Sequence, residues 1–310
     1  MSATSLGDAP PVPAPSGPAA AARRGPARGP WRPAGWNTVG LVMVLPFVLV
    51  FAVFVVYPVS YGFWLAHDPA NYRRLLDDPI FTGAVVNTLI FLLVAINLKM
   101  AIALALSGFF MKDRWWIRAM AVLFILPWAV PSIPTILSFR FMFNTEWGVV
   151  NTLIFRLTQQ DGPNWLNDPT IAFGMAMLVH IWKSLPFWTL ILLSGRLAIP
   201  KDMYEAAAVD GATGAQQFRH ITWPSMKQLY LTCTLLSMIW TLGDFNSVYL
   251  LTGGGPADLT HVLATLGIRY LRLDNIELSM ATVVFAMPFV LPLVYFMIRR
   301  LSVSGDEHAS

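Results

Sequence analysis

The sequence predicts an all-α, polytopic membrane protein with six transmembrane helices and both termini in the cytoplasm. Three observations carry this expectation. Hydrophobic residues make up 56% of the 310 and charged residues only 12%, about half the charge that soluble domains carry. Mean hydropathy is +0.58. Six apolar stretches recur along the chain, each long enough at about 1.5 Å per residue to cross roughly 30 Å of hydrocarbon. Finally, Lys and Arg are sparse in these stretches and collect in alternate connections between them.

Taken in order, residues 1–37 hold eight of the 23 prolines, interspersed with Ala, Gly and Ser. Such a tail cannot bury a core and is expected to be disordered. Arg23-Arg24 is not followed by an apolar signal region, so a basic cytoplasmic tail is the plainer reading. A transmembrane domain is expected over 38–301, with spans at about 40–66, 82–111, 119–143, 170–195, 227–250 and 278–298, and a second tail over 302–310. The first stretch has no charge in 27 residues. These should be helices, because a spanning backbone must satisfy its hydrogen bonds internally and the runs are too uniformly apolar for barrel strands. Pro46, Pro58, Pro127, Pro131, Pro134, Pro186, Pro288 and Pro292 fall inside spans, where kinks rather than span ends are expected.

Orientation follows from the basic residues. With the N-terminus inside, thirteen Lys and Arg lie in cytoplasmic segments, against five (Arg73, Arg74, Arg156, Arg269, Arg272) outside. The positive-inside rule then also places the polar interval at about 200–224 in the cytoplasm. Between spans on the opposite side, the apolar piece Val149–Leu157 is too short to cross and should lie along the surface. Leu251-Thr252-Gly253-Gly254-Gly255-Pro256 lacks the Gly-Lys-Ser/Thr of a phosphate cradle and reads either as a turn at a docking surface or merely as a turn.

No catalytic constellation stands out. The histidines are scattered, and the single cysteine, Cys233, excludes an intrachain disulfide or a cysteine metal site. No metal site is expected. An ion-driven carrier usually places acids at midmembrane, and here only Asp244 could serve. The driving force is therefore expected from outside the chain. The 200–224 interval suits that role. Pro200 ends a span, Asp202 could cap a helix running through Glu205 to Val209, three alanines permit close backbone approach, and Gly211 permits a tight turn.

The spacing Glu205-Ala206-Ala207, then Gly211, then Ile221 and Pro224 resembles the EAA motif of importer-type ABC transporter permeases, with Trp223 where leucine is usual. Asn71-Tyr72, Asn87-Thr88-Leu89, Ile181-Trp182-Lys183, Pro186-Phe187 and the 251–256 glycine run resemble carbohydrate-import permeases of the maltose-transporter type. The resemblance covers about residues 40–300. The segment before Asn71 is shorter than is usual in the family. The resemblance implies an importer-type permease fold and a second permease subunit. It also implies two ATP-binding subunits that carry ATP and Mg, and an extracytoplasmic solute-binding protein. The chain itself is expected to bind no cofactor and no nucleic acid, and to contact membrane lipids. Glu205, Ala206, Ala207, Gly211, Ile221 and Pro224 would contact an ATPase subunit.

A sugar or polyol pathway needs aromatic faces and hydroxyl partners. Trp182, Trp240, Asn246, Tyr249 and Asn87 offer these, with Trp188 and Asn97 nearby. Lys99, Lys183 and Asp244 are costly in lipid and should face the interior, with Lys183–Asp244 a possible pair. On an unbroken helix Trp240 and Asp244 would share a face. Each aromatic could equally be packing or an interfacial anchor. The leading expectation is a transport subunit for a sugar, polyol or sugar derivative. An ion-coupled carrier and an importer of another solute, such as a glycerol-phosphate ester, are the alternatives, and a membrane enzyme is a distant third.

Overall fold

A computed structural model describes residues 36–306, with side chains described from Gly40 to Phe296 and at Arg299. The expected tail at 1–37 lies outside the described residues apart from Trp36 and Asn37, which open the first helix. At the other end, residues 302–306 continue the last helix instead of starting a tail, and 307–310 lie outside. The described residues contain helices and no strand.

Internal contacts divide the chain after Pro58. The described part of the first unit comprises α1 (Trp36–Phe51), a π-helical turn (Ala52–Val56) and the first residues of α2 (Tyr57–Leu65). The second unit holds the remainder. It begins with α3 (Pro69–Asp77), α4 (Pro79–Ile90), a π turn (Phe91–Ala95) and α5 (Ile96–Phe110). There follow α6 (Trp115–Ala129), α7 (Ser132–Met142), α8 (Val149–Thr158) and α9 (Pro169–Leu197). The polar interval carries α10 (Lys201–Val209), α11 (Gly214–Gln217) and a π turn (Phe218–Thr222). The chain closes with α12 (Trp223–Leu242), α13 (Asn246–Leu251), α14 (Leu263–Arg272) and α15 (Ile276–Asp306).

Three helices start with the same dipeptide. Asp68-Pro69, Asp78-Pro79 and Asp168-Pro169 place a carboxylate at the N-cap and proline at the first helical position. The caps accept from Ala70 N (2.8 Å), Ile80 N (2.9 Å) and Ile171 N (2.9 Å). Each carboxylate satisfies an orphan N–H, while proline contributes none where none is needed.

Four described helical stretches are long and apolar enough to cross a membrane: 40–65, 79–110, 169–197 and 276–296. A fifth arises if α6 and α7 count as one, but they are bent by 96°. Proline was expected to kink this span; instead it breaks it. Val130, preceding Pro131, is driven to extended backbone (φ −73°, ψ 140°), and Pro131 has no N–H to continue the ladder. The stretch expected at 227–250 is also interrupted. The helix α12 ends at Leu242, caps on Gly243, and the chain restarts at Asn246. Its Ser, Thr, Lys and Gln residues leave it less apolar than the other long helices.

Within the second unit, α9 packs along α5, α6 and α12, while α14 lies on α15. Ile96, Met100, Ala103, Trp188, Leu192, Met226 and Cys233 fill the core between α5, α9 and α12. Small residues set the close approaches: Ala103 and Ala176 are fully buried, and a side chain on Gly195 would run into Leu229.

Candidate functional site

The break between α12 and α13 faces a buried polar chain. Lys99 on α5 is 1% exposed, yet its ammonium reaches His180 Nε2 on α9 at 3.1 Å. On the other edge of the ring, Nδ1 lies 2.7 Å from Asp244 Oδ2. Lysine can only donate, so Nε2 accepts and Nδ1 carries the proton toward Asp244. A neutral imidazole thus separates one cation from one anion, which cancels the charge inside the bundle. Asp244 also accepts from Ser247 Oγ (2.5 Å) and from Ser247 N (3.2 Å), and the second bond starts α13. Breaking the helix here therefore serves the carboxylate as well as the backbone.

Beside this chain opens a cleft of about 260 Å³. Its walls are Lys99, His180, Ser184, Trp188, Ser237, Trp240, Thr241, Gly243, Asp244 and Asn246. Trp188 and Trp240 sit 5.6 Å apart with a 50° tilt, forming an aromatic wall. Ser237 Oγ is buried without a hydrogen-bond partner among the described residues. The cleft combines donors, acceptors and an aromatic face, as recognition of a hydroxylated solute requires.

Trp240, Asp244 and Asn246 are therefore brought together, though Trp240 and Asp244 share no continuous helix. The other candidates are not. Trp182 packs edge-on against Phe139 at 4.9 Å. Tyr249 stacks on Phe245 at 4.2 Å and lies under the Arg272 guanidinium at 4.9 Å. Asn87 donates to Leu259 O (2.8 Å) and His261 O (3.0 Å), tying α4 to the loop before α14. Asn97 donates back to Leu93 O at 2.7 Å. The Lys183–Asp244 pair does not form. Lys183 donates to Pro127 O (2.6 Å) and to Val130 O, so its charge caps the broken end of α6, where carbonyls and the helix dipole favour a cation. His180 and Lys99 carry the site, and the signal was present: two polar residues inside apolar spans.

The polar interval folds as a helical hairpin. Pro200, rather than Asp202, is the N-cap of α10, with Asp202 in its first turn. At its C-terminus Gly211 adopts φ +75°, Gly211 N donates to Ala208 O (3.1 Å) and Ala212 N to Ala207 O (2.9 Å). This is a Schellman closure, which needs the left-handed region at the glycine. Thr213 and Gln216 form a capping box that starts α11. Tyr204 Oη and Thr222 Oγ1, 2.9 Å apart, join the two arms. Glu205, Ala206 and Pro224 are exposed, and Ala207 and Ile221 are half-buried. A groove of about 300 Å³ runs between the arms, lined by Ala207, Gly211, Gln217, Ile221 and their neighbours.

The glycine run after α13 is a wound turn, with Gly253 and Gly254 at positive φ. Thr260 N donates to Gly254 O (3.0 Å) and Thr260 Oγ1 to Gly255 O (2.7 Å). Beyond it, Asp258 accepts from Arg269 Nη2 (2.9 Å) and lies 3.1 Å from His261 Nε2. The Arg269 hydrogen bond holds the Asp258 carboxyl below its ordinary range. Burial holds His261 below its usual 6.5, against the pull of Asp258. Both shifts are downward, so their stabilisation is present above the ordinary values and is lost as pH falls through the folded ones. The His261 contribution should begin to fade below about pH 6.5. Hydrogen exchange at Gly255 and Thr260, corrected for intrinsic rate, is expected to quicken between about pH 7.5 and 5.5. Unchanged protection would contradict this.

A bundle of apolar helices with a polar cleft at its interior and an exposed hairpin between α9 and α12 has the parts of a membrane transport subunit. The chain belongs to the family of binding-protein-dependent transport system inner membrane components, whose family model matches residues 98–302. It is a multi-pass inner-membrane protein. Among its relatives is the trehalose/maltose transport system permease protein MalF of Thermococcus litoralis, 32% identical over 84% of this chain and 94% of that one. The sulfoquinovosyl glycerol transport system permease protein SmoG of Agrobacterium fabrum is also 32% identical, over 87% of this chain and 93% of its own. In fold it matches a chain of a bacterial ABC transporter involved in the import of the acidic polysaccharide alginate. That match has a TM-score of 0.72 at 21% identity, covering 85% of this chain and 94% of that one.

Proposed function

We propose that this chain is a transmembrane subunit of an ATP-driven importer that moves a sugar, polyol or sugar derivative into the cytoplasm. It crosses the membrane six times with both termini inside. It pairs with a second permease subunit, receives solute from an extracytoplasmic binding protein, and couples to two ATP-binding subunits that hold ATP and Mg. The observation that carries this reading is the hairpin between α9 and α12. The helix α10 buries none of its own residues, and Val209 at its end is 88% exposed. A folded, double-capped segment with an uncovered apolar flank fits a partner. Glu205, Ala206, Ala207 and Gly211 form its docking turn, with Ile221 and Pro224 on the return arm.

The relatives' names, permease proteins of trehalose/maltose and sulfoquinovosyl glycerol transport systems, support a carbohydrate. So does the cleft, where Trp240 supplies a stacking face and Asp244 and Asn246 supply polar partners. The native complex, purified with its binding protein, should hydrolyse ATP faster when the right saccharide is presented, and Trp240→Ala should blunt uptake while preserving that stimulation. Solute accumulation by the purified chain alone under an ion gradient would replace this reading with an ion-coupled carrier.

A further inference from the structure

One cation has no place in the solute cleft or the docking turn. Arg196, in the last turn of α9, is 9% exposed. No carboxylate or carbonyl among the described residues accepts a hydrogen bond from its guanidinium. Arginine cannot lose its proton, so what surrounds it decides how the charge is held.

Its surroundings show what holds it. The guanidinium carbon lies 5.9 Å from the centre of the Phe218 ring, on the π turn of the hairpin's return arm. Its Nη1 lies against Gly108 on α5, where an added Cβ would run into it. The side chain therefore fills the junction of three elements: α9, which bears it; α5, whose glycine leaves it room; and the hairpin, whose ring it stacks on. An ion pair would tie Arg196 to one partner. A flat guanidinium between a ring and a glycine transmits displacement through contact with both.

We infer that Arg196 is a positioning residue for energy coupling, bracing the hairpin against α5 and α9 so that displacement of Phe218 moves both spans. This inference rests on the coupling role proposed for the hairpin. Arg196→Lys should not substitute fully, because an ammonium has no plane to stack.

The test uses the native complex in vesicles, reading solute imported per ATP hydrolysed. Arg196→Leu and Phe218→Leu should each lower this ratio about five- to tenfold, between the exposed and desolvated ends of the cation–π range, with ATP hydrolysis retained. Arg196→Lys should fall between, and Phe218→Trp should preserve the ratio. The Arg196→Leu/Phe218→Leu pair should be no worse than either alone, because both remove one contact. Should a leucine variant assemble poorly, Arg196→Lys and Phe218→Trp, which keep charge or ring, carry the test. Unchanged ratios, or strictly multiplicative losses, would overturn the inference. Glu205→Lys serves as the reference. If it uncouples while the junction variants do not, only the role of Arg196 falls; if it too transports normally, the coupling reading itself fails.

Discussion

Gly211→Pro is expected to abolish ATP-driven uptake while the protein still inserts and assembles. The backbone at Gly211 stands at φ +75°, whereas proline is fixed near −65°. Proline would also delete the N–H that closes on Ala208 O. The Schellman closure is then lost, and α11 leaves α10 in a different direction. Gly211→Ala is the milder arm, since a side chain in the left-handed region costs about 1–2 kcal/mol but keeps the donor. Glu205→Lys tests the same surface without touching the turn. Glu205 is exposed and makes no hydrogen bond or ion pair among the described residues, so charge reversal should alter docking rather than folding. Uptake and ATP hydrolysis measured together in vesicles separate the cases. Full uptake by both Gly211→Pro and Glu205→Lys at normal complex yield would refute the docking role of this turn.

The second large effect belongs to the buried chain. Asp244→Leu removes the anion that balances Lys99, stranding an ammonium that is 1% exposed. Losing one partner of a buried pair costs about 3–5 kcal/mol, whereas replacing both by apolar groups is often neutral. Asp244→Leu should therefore lower the thermal midpoint of the detergent-solubilised protein strongly, and adding Lys99→Met should recover most of the loss. The imidazole between them makes this a three-body arrangement, and in the double variant His180 keeps the Thr241 and Ser247 hydroxyls, each 3.4 Å from one ring nitrogen. Equal midpoints for wild type and Asp244→Leu, or additive losses in the double variant, would show that the charges do not balance one another.

What was legible in the sequence divides along physical lines. Apolar runs and the Glu205–Gly211 spacing depend on composition and local geometry, so the helices and the glycine closure could be read directly. The Asp-Pro starts were equally local and were missed only because the spans were sought by hydropathy, which ignores caps. The breaks at Pro131 and Gly243 were harder. Proline at a span interior either kinks or ends a helix, and which occurs depends on whether the freed carbonyls find a donor. Here the donor is Lys183, 53 residues from Val130. The partners of Asp244 were illegible for the same reason. His180 lies 64 residues away, and only the packing of α9 against α12 decides between it and Lys183.

The broken span has a consequence for the lipid around it. The 15 residues of α6 rise about 22 Å even if the helix stands upright, some 8 Å short of a typical hydrocarbon core. Because α7 departs at 96°, it adds almost nothing to that height. The Lys183 ammonium and the carbonyls it caps, Pro127 O and Val130 O, mark the level where the climb stops. Acyl chains solvate such a ledge poorly, so where it faces lipid, water is expected to reach it or the leaflet to thin locally. A bilayer thinner beside α6 than elsewhere around the chain is the expected result, and lipid spin labels carried at graded depths would read it.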